Sequence, residues 1–230
     1  MTFEPDHTRP VNPLPPVVIL LAGIVAVVEL TFLAAEYGVI GGDAGLGWRI
    51  TGMENFAFYE PLFQWMIEHG TIKAKYLMRF FTYPFLQGSF TQAVFVIVFL
   101  LALGKMVGER IGQLSILAIF FGASILGAIM YGVVWDTRVP LFGGFTGAYG
   151  LVGAFTLILW ARLGESGGPR YQAFALIAVL LAVQFLFGIF FGAGKNWVAE
   201  VTGFVSGFGI ASLMYPGAWT RILERARERA

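Results

Sequence analysis

Apolar residues fill this chain in long unbroken runs rather than in alternation with polar ones. Six runs approach the roughly 20 residues with which a helix crosses about 30 Å of hydrocarbon. They cover 16–35, 85–103, 114–134, 141–160, 171–191 and 197–215. Backbone groups in lipid must be satisfied within their own segment, and no alternating pattern of barrel strands is present, so each run predicts a membrane-spanning helix. One connection stands apart. Segment 37–82 is long and far from polar, with Trp48, Phe56, Phe58, Tyr59, Phe63, Trp65 and Met66. A structureless connection of that length is uncommon. Residues 59–68 carry aromatic and aliphatic side chains at helical spacing. Two readings stand side by side: a short helix packed on the outer ends of the spans, or one half-inserted in the membrane interface, where aromatic side chains concentrate.

Composition sharpens this picture. Of 230 residues, 57% are hydrophobic and only 13% charged, about half the charged share of a soluble domain. The net charge of +1 and the lack of a basic patch interleaved with aromatics exclude nucleic acid as an expected partner. The chain has no Cys, which removes disulfides and thiolate sites. Carboxylates are scattered and no His falls in a predicted span, so neither a metal nor another cofactor is expected. The first apolar run follows a polar stretch with Glu4, Asp6 and prolines. It lacks a basic start and a small-residue cleavage site, so it reads as a retained span rather than a signal peptide.

Positive charge sets the expected orientation. With the N-terminus inside, the inner segments hold Arg9, Lys105, Arg110, Arg162, Arg170, Arg221, Arg225, Arg227 and Arg229. The two short outer loops hold only Arg138 and Lys195. Both termini are therefore expected in the cytoplasm. The organisation becomes a tail at 1–15, a transmembrane domain at 16–216 and a tail at 217–230, whose mixed Arg and Glu suggest a short surface helix.

Three stretches carry candidate chemistry. The first, 80–92, reads FFTYPFLQGSFTQ and leads into the second span. The second, 139–155, reads VPLFGGFTGAYGLVGAF. The third, 197–207, reads WVAEVTGFVSG. In this order, with six spans and a large first loop, they resemble the rhomboid intramembrane serine protease family. The resemblance implies an all-α membrane protein, a rhomboid-like bundle of six transmembrane helices. It also implies peptide-bond cleavage by a Ser in a Gly-x-Ser-Gly motif on the fourth span, paired with a His on the sixth. A His and an Asn on the second span would hold the oxyanion.

Position by position, this chain departs from that pattern. Without a gap, the nucleophile position is Phe145, the register favoured here; a shift of one residue puts Thr146 there. The catalytic His falls on Glu200. The oxyanion His falls on Gln92, the Asn on Val96, and an earlier His of the same loop on Gln87. The chain has only two His, His7 and His69, neither in a span. No catalytic residue is therefore expected, and Glu200 is expected to hydrogen-bond Thr146, Gln92 or Thr202 within the bundle. Gly143, Gly147 and Gly150 on the fourth span and Gly203 and Gly207 on the sixth are expected to let the two helices approach closely. Arg79 resembles the Arg of the family's first-loop motif, although Met78 replaces its usual Trp.

Three polar residues are candidate partner contacts: Glu29 on the first span, where Glu36 shares its face, Gln184 on the fifth, and Arg79. Ionisable groups within spans invite a functional reading. The resemblance makes the fifth span a lateral gate. The expected function is that of an inactive pseudoprotease, in a bacterial inner membrane, that binds transmembrane helices of other proteins without cutting them. Alternatives are an accessory subunit of a larger membrane complex, an active endopeptidase using Thr146 and Glu200, and a proton-coupled transporter. The last is disfavoured because no inverted repeat is visible.

Overall fold

The computed structural model describes residues 13–191 and 194–215. His7, Arg9 and the tail 217–230 with its Arg and Glu residues lie outside the described residues. All regular structure among the described residues is helical. In chain order the helices are α1 (Pro16–Glu36), α2 (Gly42–Gly45), α3 (Trp48–Phe56), α4 (Glu60–Glu68), α5 (Ala74–Leu77), α6 (Arg79–Thr82), α7 (Phe90–Ile111), α8 (Gln113–Val134), α9 (Phe145–Glu165), α10 (Ala175–Phe191) and α11 (Trp197–Met214). Five of them, α1, α7, α8, α9 and α11, have 18 to 22 residues and are apolar enough to cross a membrane. Helix α10 is equally apolar but shorter, at 17 residues.

Local chemistry explains the boundaries, and several differ from expectation. Pro16 opens α1 at its first position, where a missing N–H costs nothing. The second predicted span was set at 85–103, yet α7 starts at Phe90. Tyr83–Phe85 forms a single 3-10 turn around Pro84, and Ser89 then caps α7 by accepting the Gln92 N–H at 3.2 Å. At its other end α7 continues through Lys105, Glu109 and Arg110 to Ile111, since charged residues beyond the hydrocarbon remain good helix formers. Gly112, at φ +115°, alone separates α7 from α8, a conformation that needs a residue without a Cβ. The fourth span was set at 141–160, yet α9 starts at Phe145. Leu141 is held in a two-way backbone bridge to Phe58 (3.0 and 2.8 Å). The fifth run opens with a 3-10 segment, Arg170–Phe174, before α10 begins.

Segment 37–82 contains α2 to α6 rather than one helix. Helix α4, the one expected from its periodicity, lies on the end of α8. Gln64 Nε2 donates to the Gly132 carbonyl (2.8 Å), and Glu60 accepts the Thr137 N–H (3.2 Å). A cluster of Phe58, Phe63, Phe80, Tyr83 and Tyr131 joins this layer to the bundle, with Phe58 and Phe80 edge-to-face at 4.9 Å. The main core lies between α1, α7, α8, α9 and α11. Helix α9 is the central element, buried along most of its length.

Candidate functional site

The site where the sequence places peptide-bond chemistry is built on the turn Gly143–Gly144 and the first residues of α9. Gly143 has φ +102°, and its N–H donates to the Tyr83 carbonyl at 3.1 Å. Two glutamines bracket the turn. Gln87, fully buried, donates from Nε2 to the Pro84 carbonyl (2.9 Å) and accepts the Gly144 N–H at Oε1 (3.4 Å). Gln92 accepts the Gly88 N–H at 3.0 Å, and its Nε2 lies on the side of Gly143 where a Cβ would stand. Val96 is buried, with its Cγ1 against Gly144. The three positions that would shape an oxyanion site thus hold the loop to the turn. Ser89 and Gln92, three residues apart ahead of an apolar run, are a helix-start signature that the sequence reading passed over.

Past the turn the chain separates the two nucleophile registers in space. Phe145 turns toward α7, its ring 6.5 Å from that of Phe99. Thr146 is buried at 2% exposure. Its Cγ2 faces Gly127 of α8 and Gly203 of α11, and its hydroxyl lies beside that of Tyr83. Thr146, not the favoured Phe145, therefore sits where α8, α9 and α11 meet. The Tyr83 hydroxyl itself donates to the Ser124 carbonyl at 2.8 Å.

Glycines set the approach of α9 to α11. A Cβ on Gly207 would fall on the Gly150 backbone, one on Gly203 on the Thr146 carbonyl, and one on Gly153 on the Phe204 carbonyl. Gly150 also faces Ala123 of α8. Two expected packing positions need correction. Gly147 faces Phe120 and Ser124 of α8 rather than α11, and Gly143 precedes the helix and serves the turn.

Glu200, at 7% exposure, is hydrogen-bonded by the amide of Gln184 on α10. This differs from the expected partners. Gln92 is engaged with Gly88, and Thr202 donates to its own helix at the Val198 carbonyl (2.7 Å). Among the described residues no hydrogen bond joins Thr146 to Glu200. The serines of the chain each engage nearby backbone. Ser89 is a helix cap. Ser115, Ser124, Ser166, Ser206 and Ser212 each donate to a carbonyl three or four residues earlier. His69 is exposed at the end of α4, stacked on Trp65 at 4.8 Å, with Nδ1 3.0 Å from the Trp65 carbonyl. Groups of His, Asp and Glu able to hold a metal are absent among the described residues.

The candidate partner contacts also turn inward. Glu29 is buried and takes Arg49 in a fork, Nη1 to Oε2 at 2.9 Å and Nη2 to Oε1 at 3.0 Å. The same guanidinium binds Glu36 (2.6 and 3.3 Å) and the Gln87 carbonyl (2.7 Å). All five N–H donors of an arginine are engaged, and its plane lies over Phe32. The bonds to Glu29 above all hold Arg49 protonated more firmly than an ordinary arginine. Sequence reasoning missed Arg49. The signal was present in two carboxylates on one face of α1 and a cation in the next segment. Arg79 is buried and donates to the carbonyls of Ala57 (2.8 Å) and Glu54 (2.7 Å), closing the end of α3. Burial lowers its pKa from the usual arginine value. Glu29, Arg79 and Gln184 therefore all bond within the chain, while Arg79 Nε and Gln184 Oε1 are left without a partner.

Comparison with known protein families matches residues 74–217 to the Rhomboid domain. The chain belongs to the rhomboid family. A search of curated proteins finds no match. With five helices apolar and long enough to cross a bilayer, this rhomboid protein is an integral, multi-pass membrane protein. The α9–α11 seam and the turn that precedes it both lie inside the matched residues.

Proposed function

We propose that this rhomboid protein is a pseudoprotease that binds transmembrane helices of other membrane proteins without cleaving them. The observation that carries this reading is the state of the buried junction at Thr146. The side chain at the base position, Glu200, is bonded away to Gln184, and the neighbouring serines are spent on their own backbone. A hydroxyl nucleophile of the Ser–His kind is activated by a base within hydrogen-bond reach of it. Here the hydroxyl and the carboxyl have separate partners. In this reading α10 is the fifth of six spans, both termini are cytoplasmic, and the protein resides in a bacterial-type inner membrane.

Helix α10 supports the binding half of the proposal. It rests mainly on the 3-10 segment before it and on α9, while Val179, Val183, Phe185, Leu186, Ile189 and Phe190 stay exposed. Together with exposed Val94, Phe95 and Val98 of α7, they offer apolar surface on which another helix could lie.

Incubation of the reconstituted protein with a model transmembrane substrate tests the proposal. We expect crosslinked capture of the substrate and no cleavage above background, in the wild type and in Thr146→Ala alike. Cleavage by the wild type that disappears in Thr146→Ala would overturn it.

A further inference from the structure

A cavity lies away from the turn. It is an open cleft of about 600 Å³ between α4, α6 and α8, within the size range of small-molecule sites. Phe63, Met66, Phe80, Phe81, Ile125 and Ile129 form its walls, and Gly70, Ile72 and Leu77 its rim. All lining side chains are apolar. Two further observations say what such a cleft would hold. First, its α8 wall continues without a break into the outer surface of that helix, where Leu126, Met130 and Val133 are exposed. In a helix that crosses the bilayer, those residues face acyl chains. Second, two exposed lysines, Lys73 and Lys75, lie in sequence between the rim residues Ile72 and Leu77. Lys73 is steadied with its ammonium 4.7 Å over the Trp65 ring. Glu68 is the one carboxylate on that stretch, so the rim keeps an excess of positive charge.

We infer that this cleft is a binding site for one acyl chain of an anionic phospholipid, with Lys73 and Lys75 placed for its phosphate headgroup. An apolar trough open to hydrocarbon takes a chain by the same burial that anchors lipidated proteins. Ammonium groups at the membrane surface add attraction for anionic lipid. The site is separate from the α9–α11 junction, so it stands whether or not the pseudoprotease reading does.

The test uses the full chain in nanodiscs with phospholipids carrying a photoactivatable acyl chain. One set has a phosphatidylglycerol headgroup and the other phosphatidylcholine. Mass spectrometry maps the crosslinks. The expected label concentrates on residues 63–81 and 125–129, and is stronger for phosphatidylglycerol. The double variant Lys73→Gln, Lys75→Gln should abolish the headgroup preference. Ile129→Trp fills the trough and should cut labelling there about tenfold, equivalent to about 1.4 kcal/mol of affinity. Leu77→Trp at the rim provides a second variant should Ile129→Trp fail to fold. Label spread evenly over the exposed faces of α7 and α10 overturns the inference. So does equal labelling by the two headgroups, or absence of label from the cleft, as expected if a protein segment filled it.

Discussion

Helices α10 and α11 are neighbours in sequence, yet they join the bundle by opposite means. Along α11, Gly203 and Gly207 bring its backbone onto that of α9 so closely that a Cβ at either position would overlap main-chain atoms. Along α10, the bond from Gln184 to Glu200 ties a largely exposed apolar helix to the bundle. The seam of α11 has one geometry, because the backbone of α9 cannot yield as a flexible side chain would. The attachment of α10 is slighter, because among the described residues one amide–carboxyl pair is the side-chain hydrogen bond that joins its second half to the bundle. In a membrane, where helix association draws on close packing and hydrogen bonds rather than on hydrophobic exclusion, these are two available strengths of contact. The rigid one supports the fold, and the loose one leaves an apolar face of α10 uncovered.

Variants at three positions test that contrast and the bundle around it, beginning with the largest effect. Gly207→Val places an isopropyl group into the Gly150 backbone; overpacking costs about 1–3 kcal/mol where side chains can shift, and more here because main-chain atoms cannot. We expect no folded protein by size-exclusion chromatography and thermal unfolding in mild detergent. A variant with a wild-type midpoint would mean that the seam is not tight. Next comes Arg49→Ala, which leaves Glu29 buried without its partner. Breaking a buried pair costs about 3–5 kcal/mol, less some relief because the Arg49 side chain is 12% exposed. We expect a clear drop in midpoint and faster proteolysis of segment 37–82. The smallest effect is expected at the α10 clasp. Glu200→Ala should cost about 0.6–1.7 kcal/mol, the range of interhelical hydrogen bonds in membranes, and loosen α10 in hydrogen exchange. Glu200→Gln should retain the bond and the protection. Equal protection of α10 in both variants would show that the clasp does not hold it.

Five membrane-length helices were legible because long uniform apolar runs report them directly. Their ends were less so, because the cues are local. The Ser89 cap and the positive φ of Gly143 move two helix starts by four or five residues without changing the apolar count. The glycines of the seam were visible as small residues on α9 and α11, but which neighbour each one faces depends on three helices at once. Gly147 turned out to serve α8 for that reason. The same limit hid Arg49. Its five bonds reach residues 13, 20 and 38 positions away, and nothing in the local pattern around Trp48 and Arg49 reports them. Thr146 was separable from Phe145 only by direction. The two are adjacent in sequence and point to different helices.

The glutamines around the turn and on α10 have a consequence for histidine substitutions in this scaffold. An imidazole at position 92 would deprive the Gly88 N–H of the acceptor that Gln92 now provides. An imidazole at position 200 would replace the carboxylate that Gln184 now bonds with a ring that offers at most one acceptor nitrogen in a different place. Each exchange, made singly, weakens a connection before any new reactivity arises. A route toward a histidine-bearing site therefore begins downhill in stability, and a designer would have to rewire the loop and α10 first.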